Sequence, residues 1–236
     1  MMQISPDQVV LWSWGPFRLS ATIVYSWIVI AVLVLGAYLA TRRVAVTMRP
    51  GRWQSLLEVL VSGMRDQIRE VSQHDPGPYL PFVGTLFLFI ATSNALAVVP
   101  GFTPPTGSLS TTAALALCVL VAVPIYGIAE RGLGGYLKGY VRPTVFMLPF
   151  NVIGEMSRTV ALAVRLYGNV MSGTVIAAIL LSIVPFFFPI VMQVLGLLTG
   201  LIQAYIFAVL AMVYIASATR THAGQSQEAG EPDEIR

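Results

Sequence analysis

Apolar residues fill five long runs of this chain, and the runs differ in how polar residues interrupt them. The first, about 21–40, is unbroken and long enough to cross about 30 Å of hydrocarbon. Arg42 and Arg43 stop it, followed by Arg49 and Arg52. Trp53 to Val71 has another rhythm. Trp53, Leu56, Leu57, Leu60, Met64, Ile68 and Val71 recur at steps of three and four, with Glu58, Arg65, Asp66, Arg69 and Glu70 on other faces. That pattern predicts an amphipathic helix lying on a membrane surface; a helix packed on a partner protein is the other reading. A second span covers about 82–99 and contains Thr92, Ser93 and Asn94. An uncharged loop, PGFTPPTGSLS, leads to a third span over about 111–128. Glu130, Arg131, Lys138 and Arg142 then fall in a stretch that its glycines, GLGGYLKGY, mark as a loop.

The last two runs exceed an upright span. Residues 151–184 would make a helix about 51 Å long and residues 190–219 one of about 45 Å, against about 30 Å of hydrocarbon. Nothing polar in the turn Pro185-Phe186-Phe187-Phe188-Pro189 would hold it in water. These helices are therefore expected to tilt steeply as a hairpin. The predicted fold is an all-α membrane protein with five transmembrane helices and one amphipathic surface helix. It forms a single unit over 1–236: an outer segment 1–20, a helical core 21–219 and a polar, disordered cytoplasmic tail 220–236. The start, MMQISPDQVV, has no basic n-region and is expected to stay on the mature protein.

The fourth span carries a permanent charge. Arg165 lies in an apolar run, 16 residues from Pro149 and 20 from Pro185. A guanidinium cannot shed its proton, and a charge near the bilayer centre costs about 3 to more than 10 kcal/mol. Asn151, Glu155, Arg158, Leu162, Arg165, Asn169 and Ser172 follow steps of four and three, so they share one helical sector. Six of the seven are polar. Such a stripe is either a seam that glues helices together or an ion path. The fifth span carries Gln193, Thr199, Gln203 and Tyr214, with Gly196 and Gly200 as sites of close approach.

Arg165-Leu166-Tyr167-Gly168-Asn169, preceded by Ser157-Arg158-Thr159 and followed by Ser172-Gly173, resembles the RL(F/Y)GN signature of subunit a of F-type ATP synthases. Pro149-Phe150-Asn151 and Gln203-Ala204-Tyr205-Ile206-Phe207 resemble the same family, and the likeness covers about 20–219. It implies a non-catalytic stator subunit that lies against a rotating ring of c subunits, beside a b-subunit stalk and the remaining F0F1 subunits. It also implies that Arg165 faces a ring carboxylate and that Gln203 lies beside Arg165. Asn94 and Thr112 would line an outer half-channel. Asn151, Glu155, Arg158 and Asn169 would line the inner one or its border, with Ser172 continuing the stripe. Many members carry a Glu nine residues after the arginine and a His seven before the glutamine; here these positions are Thr174 and Gly196. The outer path therefore lacks titratable relay groups. The proton is the family's usual ion. The SPDQVV start and the SRTVALAVRLYGN run also resemble an N-type branch thought to move sodium, which stays open as the alternative.

Composition closes other routes. With 56% hydrophobic and 11% charged residues, the chain is no soluble domain. Cys118 is single, and both histidines, His74 and His222, lie outside the spans. No HExxH motif and no intramembrane Asp supports metal or aspartyl chemistry, so neither a cofactor nor a metal is expected. No basic cluster interleaved with aromatics suggests nucleic acid. No internal repeat marks a stand-alone transporter. Excluding Arg158 and Arg165, eleven of twelve basic residues follow the first, third and fifth spans. The positive-inside rule then puts the N-terminus outside and the C-terminus in the cytoplasm of a bacterial inner membrane.

Overall fold

The computed structural model describes residues 10–14, 17–41, 52–72, 76–99, 101–141, 146–183 and 188–219. Arg42, Arg43, Arg49, His74, Arg142, the turn at 184–187 and the tail 220–236 lie outside the described residues.

Six helices carry the architecture: α1 (Ala21–Thr41), α2 (Arg52–Ser72), α3 (Leu80–Leu96), α4 (Leu109–Val141), α5 (Met147–Ile183) and α6 (Phe188–Thr219). A short antiparallel hairpin, β1 (Val10–Trp14) and β2 (Phe17–Ser20), precedes them and was not anticipated. Prolines punctuate the helices where chemistry permits. Pro81, Pro149 and Pro189 fall in the first turns of α3, α5 and α6, where a missing N–H costs nothing. Four helices are long and apolar enough to cross a membrane, and α3 is a shorter apolar helix of 17 residues.

One expected loop is helical. The glycine-rich stretch after the third span continues α4 to Val141, interrupted at Gly132, whose φ of 71° only glycine adopts without strain. Beyond this break Tyr136 folds back onto α4. A Cβ at Gly127 would lie 2.6 Å from its ring, so that approach requires glycine.

Helix α6 is the hub, packed on α2, α3, α4 and α5, while α5 also packs on α4. Ile90, Leu162, Leu166, Phe207, Met212 and Ile215 are fully buried where these helices meet. The uncharged 101–110 loop also turns inward. Pro104 through Ser108 are buried, forming a 3₁₀ turn packed on α1, α3, α4 and α5. The outer faces are left apolar. Trp27 and Leu35 of α1, Val160 and Val164 of α5, and Val194 and Leu198 of α6 are all exposed. A chain in water would not leave such surface open; a bilayer or partner helices would cover it.

Candidate functional site

Two contacts set the register between α5 and α6. The Arg158 guanidinium stacks on the Tyr214 ring, 5.6 Å from its centroid, and Asn169 Nδ2 donates to the Thr199 carbonyl at 3.3 Å. The pairs run in opposite chain directions, so the helices are antiparallel. Their register places Arg165 at the level of Gln203.

Arg165 is exposed on the flank of α5. At helical spacing its neighbours on that flank are Ala161 and Gly168, both small and exposed, and a Cβ at Gly168 would meet only open space. Another helix can therefore come close to the guanidinium. On the adjoining side of α5, Leu162 and Leu166 are fully buried with Ala204 and Phe207 of α6. Arg165 thus sits on a dry apolar layer and faces outward.

Gln203 is buried, and among the described residues its Nε2 has no hydrogen-bond partner. Gln203 and Arg165 share a level, as the resemblance implies, but among the described residues no hydrogen bond joins them: Gln203 is buried while Arg165 is exposed.

Cavities with polar side chains in their walls lie on either side of this layer, the second of them largely apolar. One, about 690 Å³, is lined by Asn151, Glu155 and Arg158 of α5, with Arg131 and Tyr136 of α4 and Ser217 of α6. The other, about 510 Å³, is lined by Asn94, Asn169, Ser172, Thr174, Gly196 and Thr199, among others. Among the described residues its wall contains no charged or titratable side chain. Arg165 lines neither; along the axis it is about 10 Å from Arg158 and about 6 Å from Asn169. Seven of the ten expected site residues line these cavities, with Asn169 beside Thr174 and Asn94 rather than Glu155, while Arg165, Gln203 and Thr112 line neither. Thr112 stands apart. It is fully buried, and its hydroxyl donates to the Leu109 carbonyl one turn back.

Asn94 belongs to a network the sequence did not reveal. Its Nδ2 donates to the Gly200 carbonyl at 3.0 Å, and Thr106 Oγ1 donates to its Oδ1 at 3.2 Å. Ser93 and Thr106 hydroxyls lie 3.4 Å apart. Thr106 comes from the uncharged loop, where proline and glycine gave no sign that a hydroxyl would be buried. Gln193 ties the same end of α6 to α3, donating to the Val98 carbonyl at 3.0 Å. Of the two glycines expected to permit close approach, Gly200 does so and Gly196 does not: nothing lies within 4 Å of a Cβ there.

Among the described residues, four helices long and apolar enough to cross a bilayer mark a multi-pass membrane protein. The comparisons agree. The family model described as ATP synthase A chain matches residues 23–216. The chain is 60% identical over 219 residues to ATP synthase subunit a 2 of Acaryochloris marina, covering 93% of this chain and 94% of that one. It is 60% identical over 219 residues to ATP synthase subunit a of Albidiferax ferrireducens, covering 93% and 95%. It is 54% identical over 235 residues to the subunit a of Nitrosospira multiformis, covering 98% and 94%. The chain belongs to the ATP synthase A chain family, whose members are non-catalytic membrane subunits of F0; the ATP chemistry lies in F1.

Proposed function

We propose that this chain forms the two ion half-channels of an F-type rotary ATP synthase and that Arg165 is its stator charge. The observation that carries this reading is the placement of Arg165: a permanent cation on an uncovered, small-residue flank, between two cavities that an apolar layer keeps apart, each with polar side chains in its wall. A carboxylate on a c-subunit ring passing this flank is held ionised by the guanidinium, because an opposite charge stabilises the charged form. Away from the flank it carries its ion and is neutral, so it crosses lipid cheaply. Each site unloads into one cavity and reloads from the other. Asn94, Asn169, Ser172 and Thr174 serve the outer path, and Asn151, Glu155 and Arg158 the inner one. Arg165 blocks direct leakage between them. Each charge that crosses gains about 2.3 kcal/mol per 100 mV, so several must pass for each ATP.

In this reading α1, α3, α4, α5 and α6 span a bacterial inner membrane, with the N-terminus outside and the C-terminus in the cytoplasm. Helix α2 lies along the surface, and the α5–α6 hairpin tilts against the ring. The b stalk, the other F0F1 subunits and lipid cover the remaining apolar faces. The test is ATP-driven ion pumping by the reconstituted complex. Arg165→Ala should abolish pumping while the complex still assembles; substantial pumping by that variant would sink the reading.

The proton is the first choice of ion. Sodium is the second reading, favoured by the cavity around Thr174, whose lining holds no titratable group to relay a proton. ATP hydrolysis by the uncoupled complex over a sodium series at fixed pH separates them. Activation by sodium, with sodium protecting the ring carboxylate from carbodiimide, selects sodium. Indifference to sodium, with uncoupler-sensitive acidification, selects the proton.

A further inference from the structure

The two cavities differ in charge. The Thr174 cavity has none on its wall, whereas the Glu155 cavity has two guanidinia, Arg131 and Arg158, against one carboxylate. Both cations are held in place. Arg131 Nε donates to the Thr219 carbonyl at the C-terminus of α6, at 3.3 Å, and Arg158 lies over the Tyr214 ring. An arginine cannot relieve the local field by deprotonating, as a lysine can. Among the described residues the wall therefore carries two fixed positive charges against one carboxylate.

We propose that the Glu155 cavity is an electropositive vestibule, set by Arg131 together with Arg158, that depletes hydrated metal cations and admits protons through water and the Glu155 carboxylate. This deepens the half-channel reading and rests on it. A hydrated cation must enter the cavity whole and meets the full field, as cations do at arginine-guarded pores. A proton moves by hydrogen-bond exchange and can reside on Glu155. One unit charge about 4 Å away in water shifts the occupancy of a monovalent ion about fivefold. Arg131 is the informative residue. It comes from α4, outside the stripe on α5, and its role is to set the potential.

The experiment uses Ser217, an exposed residue on the cavity wall. In the whole complex in inverted vesicles, with Cys118→Ser, the Ser217→Cys thiol is reacted with a cationic and an anionic methanethiosulfonate of similar size. Their rate ratio reads the local potential and cancels differences in access. The anionic reagent should win, and because one charge shifts the two reagents about fivefold in opposite senses, the ratio should fall about 25-fold with Arg131→Gln and be retained with Arg131→Lys. Loss of a merely structural cap on α6 would affect the lysine variant as well and would alter both reagents alike. Raising ionic strength in the Ser217→Cys protein with Arg131 intact should bring the ratio toward one, a readout that needs no change at Arg131. A ratio near one at low salt, a ratio unchanged by Arg131→Gln, or no reaction with either reagent overturns the vestibule. Pumping by Arg165→Ala would instead overturn the stator reading and leave these ratios as measured.

Discussion

Asn94 on α3 and Gly200 on α6 meet so closely that no room is left for a side chain at 200. The Asn94 amide donates to the Gly200 carbonyl at 3.0 Å, and a Cβ at 200 would lie 2.8 Å from Asn94 Cγ and 2.9 Å from its Cβ. The atoms in the way are the base of the side chain, not a flexible tip, so they cannot swing aside. Gly200→Ala should therefore part α3 from α6 and cost about 1–3 kcal/mol, as overpacking does. Asn94→Ala alone loses an interhelical hydrogen bond worth about 0.6 kcal/mol in membrane proteins. The double variant should recover part of the Gly200→Ala loss. Thermal unfolding of the four proteins in detergent measures the coupling; strict additivity would show that the clash is absent.

Gln203 should separate stability from transport. Its buried Nε2 lacks a partner, and an unsatisfied buried donor costs about 1–3 kcal/mol. Replacing it with leucine removes that cost at similar volume. Gln203→Leu should unfold no earlier than the unaltered complex, yet pump at least tenfold more slowly if the amide assists Arg165 during turnover. Equal loss of stability and pumping would make Gln203 a packing residue only.

The stripe from Asn151 to Ser172 and the positions of the apolar helices were legible because a 3.6-residue period records which faces are wet and which are dry. Other features had no such mark. The glycines at 132, 134 and 135 suggested a loop, but Gly132 alone breaks the backbone and helix resumes after it. The 101–110 loop suggested exposure because proline and glycine are common at surfaces, yet Thr106 and Ser108 are buried. Only tertiary partners decide this, here Asn94 for Thr106. The resemblance grouped Asn169 with Glu155 along the inner path or its border; the structure puts Asn169 in the wall of the second cavity, where its amide reaches across to Thr199.

Tyr79 gives a pH-dependent stability. Burial pushes its phenol above the ordinary value of 10.0; a hydrogen bond with the Thr219 side chain pulls the other way, and Glu130 and Tyr126 add to the rise. A group whose folded-state pKa is raised contributes fully below its unfolded value and loses that contribution as pH climbs through the folded one. Stability should thus hold to about pH 10 and fall beyond it. Tyr79→Phe should lower the plateau, through the lost Thr219 contact, and flatten the alkaline fall. Melting temperatures from pH 8 to 11 for the two proteins check this; parallel curves would assign the alkaline loss to other groups.

The orientation assigned to the cavities rests on lysine and arginine counts, and the fold supplies better reporters than the loops as first drawn. Pro104 through Ser108 are buried, but Thr103 is exposed beside the Thr174 cavity. The stretch after Gly132 is helical, and Gly134 is exposed with open space around a Cβ. In a Cys118→Ser background, Thr103→Cys and Gly134→Cys should both be tolerated. An impermeant thiol reagent should label Thr103→Cys in right-side-out vesicles and Gly134→Cys only in inverted ones. Because α4 leads from one site to the other through an apolar helix long enough to cross the bilayer, the two must label from opposite sides. Labelling from the same side would remove α4 from the membrane. Labelling in the reverse sense would exchange the cavities, making the charged Glu155 cavity the outer entrance and the uncharged Thr174 cavity the cytoplasmic one.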